Sequence, residues 1–144
     1  MALVSKPKKT DMGLFAVLVE KDSIGVHKTL MQGLPYSALT KFELESGLER
    51  KQLATLLAVG PRTLDRRQKQ KKLQPEESDR LYRIASLYRS ALELFNGDRD
   101  ATIRWMAAPR PALSGETPLE LARTEVGAKR VETLIRQLER GVYV

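Results

Sequence analysis

The stretch Leu53-Ala-Thr-Leu-Leu-Ala-Val-Gly-Pro-Arg-Thr-Leu64 decides the fold of this 144-residue chain. Its apolar residues recur at helical spacing until Gly60-Pro61 interrupts them, and Pro61 suits the first position of a new helix. The small side chain of Ala54 lets two helices pack closely at a steep angle. Four apolar side chains then fill the wedge between the helices: Leu53, Leu57, Val59 and Leu64. The stretch therefore predicts two short helices joined by a tight turn at Gly60-Pro61.

This arrangement resembles the helix-turn-helix motif, whose second helix enters the major groove of DNA. Residues 62–72 carry six Lys and Arg side chains and only one anchoring leucine, Leu64, before Leu73. Arginine can fork onto guanine edges, while lysine and threonine suit phosphates. We expect six residues to meet DNA: Arg62, Thr63, Arg66, Arg67, Lys69 and Gln70. The alternative is a solvated basic helix without a function.

Arg67 departs from the motif, because many such motifs keep a second core hydrophobe at this position. The sequence therefore predicts that Leu64 and Leu73 alone hold the second helix.

The positive charge is concentrated in the first half of the chain. Residues 1–74 hold 14 Lys and Arg against 7 Asp and Glu, a net charge of +7, whereas residues 75–144 hold 11 of each kind. Such asymmetry indicates a module that binds a polyanion, joined to a module with another task. The alternative is a solubilising surface whose charge is uneven.

Composition argues against several classes of site. Cysteine is absent and His27 is the single histidine, which excludes disulfides, thiolate zinc sites, a cysteine nucleophile and any site that needs two imidazoles. The acids at 76–79 suit the positive end of a helix dipole better than a metal ion. No nucleophile–base pair or glycine-rich phosphate loop stands out. We expect no catalytic residue, no cofactor, no metal and no small-molecule substrate.

The longest apolar run, Leu14 to Val19, is far shorter than the roughly 20 residues that span a bilayer. The N-terminal lysines follow the apolar residues, unlike those of a secretory signal. We therefore expect a cytoplasmic protein without a membrane partner.

The remaining sequence is helical in pattern and shows no β-hairpin signal, so the expected fold class is all-α. We expect helices over residues 23–32, 36–46, 50–59, 62–72, 75–95, 100–107 and 128–140, with a short one opened by a capping box at Thr117-Pro-Leu-Glu120. We divide the chain into a basic flexible arm (1–12), a helix-turn-helix module (13–74), a connecting and dimerisation helix (75–97) and a small helical module (98–144).

The long helix from Pro75 carries an apolar stripe too wide for one contact surface. Leu87 and Leu94 widen it, and we expect them to form the seam of a homodimer. A second apolar set has two open interpretations: the core of the small C-terminal module, or an exposed patch that awaits a protein partner. Its members are Trp105, Met106, Leu113, Tyr143 and Val144.

Two further sets of residues resemble a known family. Arg62-Thr-Leu64, Arg67, Leu73 and Glu77-Ser-Asp-Arg80 are similar to the Xre-type antitoxins of bacterial RES–Xre toxin–antitoxin operons. The ordered C-terminal set resembles the Xre/MbcA/ParS toxin-binding domain: Trp105, Pro109, Leu113, Gly115, Pro118, Thr124, Gly127, Val131, Leu134 and Gly141. The likeness runs from about Tyr36 to Val144.

The resemblance implies that the N-terminal module binds operator DNA and that the C-terminal module binds a RES-domain toxin, an enzyme that degrades NAD+. The antitoxin then blocks access to the toxin's active site and is itself no enzyme. The expected toxin contacts are Trp105, Pro109, Leu113, Pro118, Leu121, Val142, Tyr143 and Val144. The alternative is a stand-alone helix-turn-helix regulator whose C-terminal half only dimerises.

Overall fold

The computed structural model describes Leu18 and residues 21–141, and within them the chain forms helices and no strand, which confirms the all-α expectation. The helices are α1 (Ser23–Gln32), α2 (Tyr36–Ser46), α3 (Arg50–Leu56), α4 (Pro61–Gln70), α5 (Pro75–Leu94), α6 (Arg99–Ala107), α7 (Pro118–Leu121) and α8 (Glu125–Glu139), with a 3-10 turn at Pro111–Leu113. None of these helices is long and apolar enough to cross a membrane. The basic arm expected at residues 1–12 lies outside the described residues.

The helix boundaries follow from local capping. Pro61 and Pro118 occupy the first turns of α4 and α7, as expected. The Thr117 hydroxyl accepts a hydrogen bond from the Glu120 backbone N–H at 3.0 Å, which confirms Thr117 as the N-cap. The Glu120 carboxylate accepts from Arg123 at 2.8 Å. The reciprocal bond from Glu120 to the Thr117 backbone, which the expected capping box requires, is therefore not the one that forms.

The turn between α3 and α4 differs from the sequence expectation. Helix α3 ends at Leu56 instead of Val59, and Ala58 adopts the left-handed conformation with φ 58°. Gly60 is extended, with φ −78° and ψ 164°. The reversal of direction is thus made at Ala58, and Gly60 serves as the N-cap of α4.

The buried face of α2 also differs from the sequence prediction, at one residue. The helical pattern of the sequence predicts one apolar face made of Ala38, Leu39, Phe42 and Leu44. The first three are buried, but the side chain of Leu44 is 79% exposed. Leu44 lies two residues beyond Phe42, which places it on the opposite side of the helix. The position that continues the buried face is Ser46.

Helix α5 is the spine of the molecule and packs against α1, α2, α6 and α8. Its wide apolar stripe is buried on more than one side, as predicted, through Leu81, Ile84, Ala85, Leu87, Tyr88 and Ala91. The rings of Phe42 and Tyr88 meet edge to face with centroids 5.6 Å apart, and the Tyr88 hydroxyl donates to the Glu45 carbonyl at 3.1 Å. One contiguous hydrophobic cluster therefore runs from α1 to α8.

A short backbone pairing ties the end of α4 to the start of α2. The Leu73 N–H donates to the Leu34 carbonyl at 2.8 Å, and the Tyr36 N–H donates to the Lys71 carbonyl at 3.1 Å. The Leu34 N–H donates in turn to the Ser78 hydroxyl of α5 at 2.8 Å, in a buried environment. These bonds hold the C-terminal end of α4 beside the beginning of α5.

Gly127 permits a close approach between α7 and α8. The sequence pattern predicts that Gly127 separates two helices, but Gly127 lies inside the first turn of α8, where its N–H donates to the Thr124 hydroxyl at 3.0 Å. A Cβ atom added at Gly127 would overlap the Leu121 carbonyl oxygen and would lie 2.8 Å from the carbonyl carbon. Only glycine fits there without moving the backbone.

The substitution Gly127→Ala should destabilise the fold by about 1–3 kcal/mol, because the new methyl group meets backbone atoms that no side-chain rotation can relieve. Gly60→Ala is the matched control, since Gly60 has a negative φ and open space around it. Thermal unfolding followed by circular dichroism measures both variants. Equal melting temperatures for the two variants would contradict this packing.

Candidate functional sites

Helix α4 is an exposed basic helix with one buried residue among its ten, Leu64, which is 1% exposed. At about 100° per residue, positions 62, 65, 66 and 69 fall on the side opposite Leu64 and Arg67. The structure leaves Arg62, Arg66, Lys69 and Gln70 exposed, and Thr63 is half-buried. Four of the six predicted DNA contacts are thus open to solvent on one short helix, whose shape suits a major groove.

Arg67 is turned inward, so the expectation that it faces outward is wrong. Its side chain is 14% exposed, and its Nε donates to both carboxylate oxygens of Glu77, at 2.8 and 3.2 Å. The Glu77 side chain is 7% exposed and also accepts from the Gln74 backbone N–H at 2.8 Å, within the capping box of α5. The hydrogen bond to Glu77 raises the pKa of Arg67 above its ordinary value, so the guanidinium stays charged.

This ion pair replaces the second core hydrophobe of the helix-turn-helix pattern. The expectation that Leu64 and Leu73 alone hold α4 is therefore wrong, although both leucines are buried. Sequence reasoning assigned Glu77 only to the helix dipole. The ten-residue separation from Arg67 has no helical periodicity that could have indicated the pair.

A second polar contact links α4 to α3. Arg50 Nη2 lies 2.7 Å from Asp65 Oδ1, and Arg50 Nη1 donates to the Gln68 side-chain oxygen at 3.4 Å. The side chains of Arg50 and Asp65 are 39% and 63% exposed. Sequence reasoning missed this contact, although Asp65 is the single acid between Glu49 and Glu76.

Two of the three acids at 76–79 have a basic partner. Besides Glu77, which binds Arg67, Asp79 binds Arg83 at 2.7 Å. In the described part of the chain, no group of three His, Cys, Asp or Glu side chains is placed to hold a metal ion.

The apolar set of the C-terminal module lies mainly in the core. Trp105, Met106 and Leu113 are 8%, 0% and 4% exposed, which agrees with the first of the two interpretations left open by the sequence. Of the other expected toxin contacts, Pro118 is buried, Leu121 is half-buried and Pro109 is exposed. Val142, Tyr143 and Val144 lie outside the described residues.

The turn after α6 is held together by Arg110. Its guanidinium lies 5.2 Å from the centroid of the Trp105 ring and donates to the Trp105 carbonyl from Nη2 at 3.1 Å. The Arg110 N–H donates to the Glu116 carbonyl at 3.0 Å, and Arg130 of α8 donates to the Ala112 carbonyl at 2.7 Å. Partial burial lowers the pKa of Arg110 below its ordinary value. The result is a fixed turn whose exposed residues are Pro109, Pro111, Ser114, Gly115 and Glu116.

The dimer seam expected at Leu87 and Leu94 needs a correction. The Leu87 side chain is 5% exposed and packs in the chain's own core, so it offers almost no surface to a second copy. Leu94 is half-buried. A seam that depends on a free Leu87 side chain is therefore wrong.

Two family models match this chain over adjoining segments. Residues 25–86 match the antitoxin Xre-like helix-turn-helix domain, a segment that begins within α1 and ends within α5. Residues 90–141 match the antitoxin Xre/MbcA/ParS C-terminal toxin-binding domain, which contains α6 to α8.

Individual relatives cover most of the chain. The antitoxin Xre of Yersinia enterocolitica is 30% identical over 116 residues, which are 80% of this chain and 78% of that protein. The antitoxin Xre of Photorhabdus laumondii is 32% identical over 114 residues, with 78% and 77% covered. Among solved structures, the MbcT–MbcA toxin–antitoxin complex of M. tuberculosis contains a chain of the same fold. Its TM-score is 0.60 at 24% identity, over 76% of this chain and 96% of that one.

Replacing Glu77 with Gln should destabilise the protein by about 3 kcal/mol, because it leaves the Arg67 charge nearly buried without a counter-ion. The control is Asp79→Asn, which removes the carboxylate from the more exposed pair with Arg83 and should cost less than about 1 kcal/mol. Urea unfolding gives both values. An equal, small loss for both variants would contradict a stabilising role for the buried pair.

Proposed function

Because the chain belongs to the Xre family of antitoxins, we propose that it binds and blocks a RES-domain toxin and represses its own operon by binding DNA. The family membership confirms the resemblance predicted from the sequence. The RES-domain target, an NAD+-degrading enzyme, and the autorepression are the parts that we propose.

The observation that carries the proposal is the match of residues 90–141 to a toxin-binding domain, on a segment folded around a fixed turn. The solved relative MbcA is itself found in a complex with the toxin MbcT, which supports a protein partner of this kind. The motif from Trp105 to Gly141 supports a RES-domain protein as that partner.

The residues expected to contact the toxin fall into two groups, according to whether their side chains are open to solvent or buried. We propose that Pro109, Leu121 and the tail Val142-Tyr143-Val144 touch the toxin. The buried Trp105, Leu113 and Pro118 act by shaping the turn, since their side chains contribute little surface. Arg110 supports this role by holding Trp105 through both its carbonyl and its ring.

The DNA contacts come from the exposed side of α4. We propose that Arg62, Thr63, Arg66, Lys69 and Gln70 meet operator DNA, with the protein acting as a homodimer, because helix-turn-helix dimers read half-sites about one helical turn apart. We propose a cytoplasmic location, since a toxin and an operator inside the cell would both be met there. The proposed role is blocking and repression, and it requires neither a catalytic residue nor a cofactor.

Co-expression with a RES-domain toxin, which the proposal expects the adjacent gene to encode, should yield a stable complex and rescue growth. Pro109→Glu should weaken toxin binding at least about tenfold, because it places an unpaired charge at the contact. Truncation after Gly141 removes Val142-Tyr143-Val144 and should also weaken toxin binding. The control is Leu44→Glu on α2, which is 79% exposed and belongs to the N-terminal module. Affinity purification and growth assays give the readouts.

If no second chain co-purifies while promoter binding persists, the protein is the stand-alone regulator instead. If both C-terminal variants bind the toxin like the unmodified chain, the proposed contacts are wrong.

Operator binding should be lost when Arg62 and Arg66 are both replaced by Ala. Each contact to a base is worth about 1–3 kcal/mol, and both side chains are exposed, so the fold should persist. Lys28→Ala on α1 removes an exposed basic side chain away from α4 and is the control. Arg67 is unsuited to this test because its replacement breaks the pair with Glu77. Unchanged affinity of the double variant in a gel-shift assay on the native promoter would contradict the proposal.

A further inference from the structure

One acidic side chain lies on the outward side of α4. Asp65 shares that side with Arg62, Arg66 and Lys69, and its side chain is 63% exposed. Between Glu49 and Glu76 the sequence holds eight Lys and Arg and no other acid. A carboxylate here is repelled by DNA phosphates, so it weakens binding to any duplex unless it faces a donor on a base edge.

The major groove offers such a donor. The exocyclic N4 amine of cytosine donates there, and aspartate is one of the side chains that accept from it. DNA phosphates carry only hydrogen-bond acceptors, so an outward carboxylate cannot form a hydrogen bond with the DNA backbone. It can form one with the N4 amine of a cytosine.

The geometry leaves Asp65 ready to accept. Arg50 binds its Oδ1 at 2.7 Å, and no hydrogen bond from the described residues reaches its Oδ2. The same guanidinium contacts Gln68, one turn further along α4, so Arg50 fixes the carboxylate relative to the helix. Because both partners of the pair are well exposed, the pair contributes little to stability, and a purely structural role explains it poorly.

We propose that Asp65 is a specificity-determining residue, which accepts a hydrogen bond from a cytosine of the operator in the major groove. Arg50 is the positioning residue that orients its carboxylate. This inference rests on the proposed binding of DNA by α4 and adds a base preference to it.

The test is selection of bound duplexes from a library with a random 20-base-pair core, using the full chain. Binding is then titrated on the selected sequence and on its single-base-pair variants. The unmodified chain should prefer a C·G pair at one position of each half-site by about five- to tenfold. D65N should shift the preference at that position to A·T, because asparagine pairs with adenine edges.

Three further variants complete the test. D65A should lose the preference at that position while binding all sequences more tightly, since the phosphate repulsion is gone. R50K should keep the preferred base but reduce the discrimination, which a purely structural role would not do. Glu76→Gln on α5 is the matched control and should change no base preference.

The inference is overturned if D65N and D65A keep every base preference of the unmodified chain, even with a uniform rise in affinity. If the unmodified chain enriches no sequence at all, the proposed DNA binding fails together with the inference. If a motif is enriched and R66A loses it while D65N leaves it unchanged, only the inference fails.

Discussion

The ion pair between Arg67 and Glu77 is the contact on which the placement of α4, the helix proposed to bind DNA, depends. Helix α4 offers the core a single side chain, Leu64, and its other faces are polar. Glu77 sits at the third position of α5 and caps that helix while it binds Arg67. One carboxylate therefore contributes both to the start of α5 and to the position of α4. A pair this largely shielded from solvent is costly to break, because either charge alone would lack a counter-ion.

The consequence is that the two proposed activities share one packed unit. Helix α5 runs without interruption from the Arg67 contact to the C-terminal module, and it packs against both α6 and α8. The backbone pairing of Leu34 with Leu73 and the Ser78 hydroxyl reinforce the same junction. The surface of α4 and the turn held by Arg110 are thereby presented by a common hydrophobic core.

Local signals in the sequence were enough to predict the helices and many of their ends. Pro61 and Thr117-Pro118 act within one turn of the backbone, and both begin helices as predicted. The pair Asn96-Gly97 also acts locally and follows the end of α5 with φ values of 54° and 83°. The contacts between helices were harder to predict. A stripe on one helix does not specify its neighbour, so Leu87 was assigned to a dimer seam although it packs inside the chain. The inward turn of Arg67 and the close approach at Gly127 likewise depend on residues from another element.

A double-mutant cycle across Arg67 and Glu77 tests the central claim most directly. The substitutions Arg67→Met and Glu77→Leu are made singly and together, and urea unfolding gives the free energy of each chain. We expect each single variant to lose much of its free energy of unfolding. The double variant should recover much of that free energy, with a coupling energy of about 1–3 kcal/mol between the two positions. Additive losses with no coupling would contradict the claim that this pair holds α4 to α5.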